Sequence, residues 1–158
     1  MTDSSNFRDA IAELLREAFE GKKPESEGTW FVEGAEAILP TIESLTATQA
    51  SQIGPGWGAS IGAHTKHLAY ILNWANACHG DLPPTGTWNE TWIQNAFSES
   101  EWDSICSEVE TRYRAYLHWF STNTDWSHEA GVIAPIAVLP HVSFHLGAIR
   151  RLVMLVAE

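Results

Sequence analysis

Apolar residues recur at a helical period over four long stretches of this chain and a further N-terminal one, and no stretch shows the sustained alternation of a strand. That restricts the fold to packed helices. Over 6–19 the stripe is Phe7, Ile11, Leu14, Leu15 and Ala18. Over 30–45 it is Phe31, Ala35, Ile38, Leu39 and Ile42, with Pro40 inside, where a proline kinks or divides a helix. Over 60–77, Ser60 is an N-cap ahead of Ile61, His64, Leu68, Ile71, Leu72 and Ala75. Ser98 and Glu101 form a capping-box pattern before Trp102, Ile105, Val109, Tyr113, Tyr116 and Phe120. A last helix spans 130–157, with Pro135 in its first turn and a bend at Pro140. Polar segments rich in Gly and Pro at 21–29, 52–57 and 80–87 read as loops, as does 121–129; residues 88–97 read as short helix or irregular chain. The expectation is an all-α, antiparallel four-helix bundle with an additional N-terminal helix, a single domain over 1–158.

Two of these helices carry paired histidines. His64 and His67 are three residues apart, and His141 and His145 are four apart. Both spacings place the two imidazoles on one face, a turn apart. Helices packed side by side would bring three or four ring nitrogens to one point, as a divalent transition metal requires. A buried imidazole without a partner is costly, which also favours a shared ligand. The residues alone leave open whether His64 or His67 serves as ligand, since both face the core.

Charge narrows the partners. Nine Lys and Arg against twenty Asp and Glu give a net charge of −11, and the basic residues form no cluster. Phosphate backbones and anionic membranes are therefore poor partners. No run of about 18 apolar residues suggests a membrane span. The polar start MTDSSNFRDA lacks the pattern of a secretory signal. Cys78 and Cys106 form no CxxC motif and read as reduced thiols of a cytoplasmic protein. Eight tryptophans read mostly as packing anchors. They also leave apolar surface that a small bundle cannot cover alone, so a homodimer is expected.

Three stretches carry a resemblance to a known family: SIGAHTKHL (60–68), HVSFHLGAIRRL (141–152) and SESEWD (98–103) with the Trp-rich loop before it. The chain resembles, over roughly 30–156, the DinB-like (YfiT-like) metal-binding four-helix bundles. The last-helix motif is its most specific part. The resemblance implies a divalent ion (zinc, nickel or iron) held by His67, His141 and His145, with His64 adjacent but outside the ligand set. The three nitrogens should then converge within about 4 Å, given bonds near 2.1 Å. Ala148 departs from the pattern, because many relatives carry Gln there. The family includes transferases and isomerases that use low-molecular-weight thiols, and sulfoxide synthases in larger multidomain relatives. A lone bundle fits metal-dependent thiol S-transfer on a small-molecule substrate better. The alternative is a non-catalytic metal-bound bundle that binds a small molecule or a protein partner.

Other residues have plainer readings beside functional ones. Tyr70, Tyr113 and Tyr116 could reach the site, but aromatic residues at helical spacing belong to a core. Arg150 or Arg151 could hold an anionic group, although a salt bridge to the acidic surface accounts for at least one. Cys78 lacks the basic surroundings of a nucleophile. His79, His118 and His128 read as surface or loop residues.

Overall fold

The structure, a computed structural model, describes residues 4–24, 28–30, 32–54, 56, 58–78, 86–123 and 129–156. Among them no strand is present; an isolated antiparallel bridge pairs Ile53 with Ser60. The expected all-α class holds. The helices are α1 (Ser4–Glu20), α2 (Ile38–Glu43), α3 (Ala47–Ala50), α4 (Ile61–Ala77), α5 (Glu99–Thr122) and α6 (Glu129–Val156), with 3-10 turns at Gly34–Glu36 and Asn89–Trp92. The expected loops at 80–87 and 121–129 lie largely outside the described residues, as do His79 and His128.

The four long helices make a ring of contacts. α4 packs on α5 and α6, and α1 packs on the same two. Ala12, Leu15, Ala18 and Phe19 turn the inner face of α1 to the core, whereas Phe7 is half-exposed. Gly21 ends α1 in the left-handed region (φ 85°), and its N–H donates to the Glu17 carbonyl. The Glu17 carboxylate is buried because it accepts from the backbone N–H groups of Trp30 (3.0 Å) and Val32 (2.8 Å), so the returning chain supplies its partners.

The stretch 30–45 is not one long helix. Only α2 and the preceding 3-10 turn are helical, and Pro40 is the reason. It sits third in α2 behind an extended Ala37, where a missing N–H breaks no intrahelical bond. The proline thus sits at the start of a short helix instead of kinking a long one. A second short helix, α3, went unread in the sequence although its signal was there. Thr46 and Gln49 form a complete capping box.

The capping signals of the long helices hold. Ser60 Oγ accepts from the Ala63 N–H at 3.1 Å, and Ser98 and Glu101 close a capping box. α5 buries Trp102, Val109, Tyr113, Tyr116 and Phe120, the face its sequence marks, and extends through Ser121 and Thr122. α6 continues unbroken through Pro140. Both Pro140 and Ile136, whose carbonyl loses its usual donor, lie on the exposed face, where water can satisfy it. By length and composition α6 could cross a membrane. Its Val138, Val142, Leu146, Ile149 and Leu152 are instead buried in the core.

Gly62, in the first turn of α4, lies under the Phe97 ring, where a Cβ would collide with the ring edge. Alanine favours a helix interior by ~1 kcal/mol, but overpacking a buried ring costs about 1–3 kcal/mol. Gly62→Ala is therefore expected to lower the denaturant midpoint at unchanged m-value. A raised midpoint would show that Phe97 moves aside freely.

Candidate metal centre

Ser60 fixes the start of α4, and the first two turns after it deliver His64 and His67. His141 and His145 come from the middle of α6, which packs against α4. One ring nitrogen each of His67, His141 and His145 lies within 4.8 Å of the others. The set is the one implied by the family resemblance, in a triangle wider than the expected 4 Å. One side, His141 Nε2 to His145 Nε2, measures 3.1 Å. Bonds of ~2.1 Å to a tetrahedral ion place nitrogens ~3.4 Å apart, so modest rotation of the wider-set ring closes the triangle.

The hydrogen bonds around His67 assign its proton. Thr91 Oγ1 has one hydrogen, which it donates to the Trp88 carbonyl at 2.6 Å. It therefore accepts at 2.7 Å from His67 Nδ1–H. A neutral imidazole has then no second proton, so Nε2 carries a lone pair. That Nε2 is fully buried and has no hydrogen-bond partner among the described residues. An orphaned buried acceptor costs about 1–3 kcal/mol. A cation held among the three rings would supply that partner.

His64 takes the position beside the ligands. Its Nδ1 lies 2.9 Å from His145 Nδ1, on the far side of the His145 ring from His141. When His145 Nε2 faces a cation, its proton resides on Nδ1 and donates to His64. Metal-bound histidines are oriented in this way by an acceptor behind the ring. With an ion on the three-histidine set, His64 would orient the His145 ring from behind.

Burial keeps the cluster neutral. His67 and His145 are 0% and 1% exposed. Desolvation, reinforced by the neighbouring His141 and His64, pushes His67 down to about 4. Desolvation, then His64, His141 and His67, pushes His145 down to about 2. Burial also lowers His64 and His141. Imidazoles that stay unprotonated at neutral pH are ready ligands, since protons compete for the same nitrogens.

Two tryptophans wall the site, and the sequence did not distinguish them from the other six. Trp92 stacks on His67 with ring centroids 4.4 Å apart, and its ring also lies near His64 and His145. Trp88 meets His67 edge-on at 4.3 Å and His141 at 5.5 Å. Both flank Thr91 in or beside the Asn89–Trp92 turn. That turn is pinned to α4 by the Ser60 N–H to Asn95 Oδ1 (2.8 Å) and by Lys66 Nζ to Gln94 Oε1 (2.9 Å). Thr91 was missed for a simple reason: its role depends on a contact 24 residues away, which no local pattern encodes.

The other candidates fall elsewhere. Tyr113 donates to Glu20 Oε1 on α1, and Tyr116 packs with Trp119 and Phe120. Arg150 pairs with Glu36 at 2.5 Å, away from the site. Cys78 is exposed, with burial of its surroundings raising its thiol pKa, and His118 is exposed. Tyr70 alone of the three tyrosines approaches the cluster, its ring 6.0 Å from His67. No family model, no curated protein and no solved structure matches the chain.

The depressed basicity sets a pH dependence for the metal-free protein. The folded pKa of His145 lies below the ordinary 6.5 of the unfolded chain. Below pH 6.5 the unfolded state takes up a proton the folded state refuses, so stability falls as pH falls. For His145 alone the loss is about 2 kcal/mol at pH 5. Melting temperatures between pH 7.5 and 5 should decline for the wild type and decline less steeply for His145→Gln. Parallel curves would contradict the assignment.

Proposed function

We propose that this protein is a metal-dependent enzyme of the DinB-like (YfiT-like) kind, with a divalent ion on His67, His141 and His145. The ring of contacts among α1, α4, α5 and α6 supports an antiparallel four-helix bundle. In that bundle α1 is one of the four helices and not an addition to them. The single observation that carries the metal reading is the buried, partnerless Nε2 of His67 facing two further imidazoles.

Three neutral ligands leave a divalent ion its full charge and at least one open position. Such an ion lowers the pKa of a bound water or thiol, and imidazole ligands suit zinc, nickel or iron. The chain supplies the rest. Thr91 and His64 hold two ligand rings by their second nitrogens, and Trp88 and Trp92 pack their rings against the cluster. This chemistry fits thiol S-transfer to an electrophilic small molecule, with a low-molecular-weight thiol as cosubstrate. A non-catalytic metal-bound bundle is the second reading. Independently of either reading, an apolar stripe lies on the outer face of α6, where Ile133, Ile136, Phe144, Met154 and Leu155 are exposed. We assign that stripe to pairing between two copies of the chain, because exposed apolar patches mark interfaces.

Elemental analysis after dialysis against Zn²⁺ or Ni²⁺ should give about one ion per wild-type chain, and almost none for His67→Ala, His141→Ala or His145→Ala. The exposed His118→Ala should bind like wild type. Thr91→Val should weaken binding by about 10- to 100-fold, the usual cost of losing the group behind a ligand. Full metal content in His145→Ala would remove the site. In sedimentation equilibrium at micromolar protein a dimer is expected, and Phe144→Glu should return it to a 17.5 kDa monomer. A wild-type monomer would free the α6 stripe from this role.

A further inference from the structure

A cleft of about 200 Å³ opens beside the metal centre, with His141 at one end. Its walls are Tyr70 and Trp74 from α4, Trp88 from the segment before the 3-10 turn, and Ala137 and Val138 from α6. Among the described residues that line it, none carries a charged side chain. His141 connects it to the ligand cluster, since its Nε2 lies 3.1 Å from His145 Nε2. Trp88 does the same from the other side, bordering the cleft while meeting both His67 and His141 edge-on.

We infer that this cleft is the binding site for an uncharged aromatic or compact apolar group, whose attached donor atom reaches the ion's open position. The inference rests on the three-histidine metal reading and specifies its ligand class. Size comes first. An apolar cavity of ~150 Å³ accommodates benzene, so a cleft of about 200 Å³ takes one ring with a small substituent. Chemistry comes second. Tyr70, Trp74 and Trp88 offer ring faces and edges, which attract a further ring in stacked or edge-to-face contact. None of the described lining residues would compensate a buried carboxylate or phosphate on the tail, whose desolvation is costly. Charge on the ligand is tolerated only at its head, where the cation offsets it. Trp74 and Trp88 are each nearly half-exposed, although large aromatic side chains usually bury most of their surface. A ring between them would cover both.

The test uses the full chain loaded with Co²⁺, whose visible bands report a change at the ion. Two probes with the same donor head are compared, imidazole and 4-phenylimidazole. The expected result is perturbation of the bands by both, with the phenyl compound binding at least about tenfold more tightly, as burial of a ring implies. Trp74→Ala should bring the two affinities together while Co²⁺ stoichiometry stays at the wild-type value. Ala137→Trp, at an exposed position of α6 bordering the cleft, should do the same by filling it. Equal affinities for the two probes in the Co²⁺-loaded wild type would overturn the inference and leave the metal reading standing. A phenyl preference that survives both substitutions would overturn the location. Failure of the wild type to bind Co²⁺ would overturn the inference together with the metal reading.

Discussion

Four neutral imidazoles share the space between α4 and α6, and their placement governs what surrounds them. Such rings can be buried only if each nitrogen finds a donor, an acceptor or a cation. His145 meets this with His64 on one nitrogen and His141 on the other. His67 meets half of it through Thr91, and its second nitrogen remains unmet. A cation within the triangle would satisfy that nitrogen and draw His141 and His145 into the same set. The position of α6 against α4 is therefore tied to the chemistry of the site as well as to apolar packing by Leu68, Val142 and Ile149.

The segment 86–98 couples the site to the outside. It contributes Thr91, Trp88 and Trp92 from in or beside the short Asn89–Trp92 turn. Its attachment comes from α4 and α5: Asn95 receives the Ser60 N–H, and Gln94 bridges Lys66 and Glu101. Glu101 in turn completes the capping box of α5. A chain of polar contacts thus runs from the start of α5 to the wall of the metal site. The same segment borders the aromatic cleft through Trp88.

α6 has to satisfy two environments at once. One face holds Val138, Val142, His145, Leu146, Ile149 and Leu152 in the core. The opposite face shows Ile133, Ile136, Phe144 and Met154 to solvent. A helix apolar all round belongs inside a larger assembly or a membrane. The core face carries the buried His145 among its apolar residues, and the outer face leaves an apolar stripe exposed.

Much of this was legible in the sequence because it depends on local rules. Helical spacing marked the inner faces of α1, α4 and α5, and Ser60, Ser98 and Glu101 announced two helix starts through caps that their own neighbours complete. The i, i+3 and i, i+4 histidine spacings determined that each pair shares a face. The reading was coarser where a local signal had two meanings. Pro40 marks a kink or a division of the 30–45 stretch, and the structure divides it, with Pro40 in the first turn of α2. What only the tertiary structure decided is which histidine does what. His64 and His67 are both buried on α4, and their difference lies in partners far along the chain: Thr91 fixes the proton of one, and His145 takes the other as its support. Hydrogen bonds across 24 and 81 residues follow from how helices meet in space, and side-chain period along one helix holds no information about them.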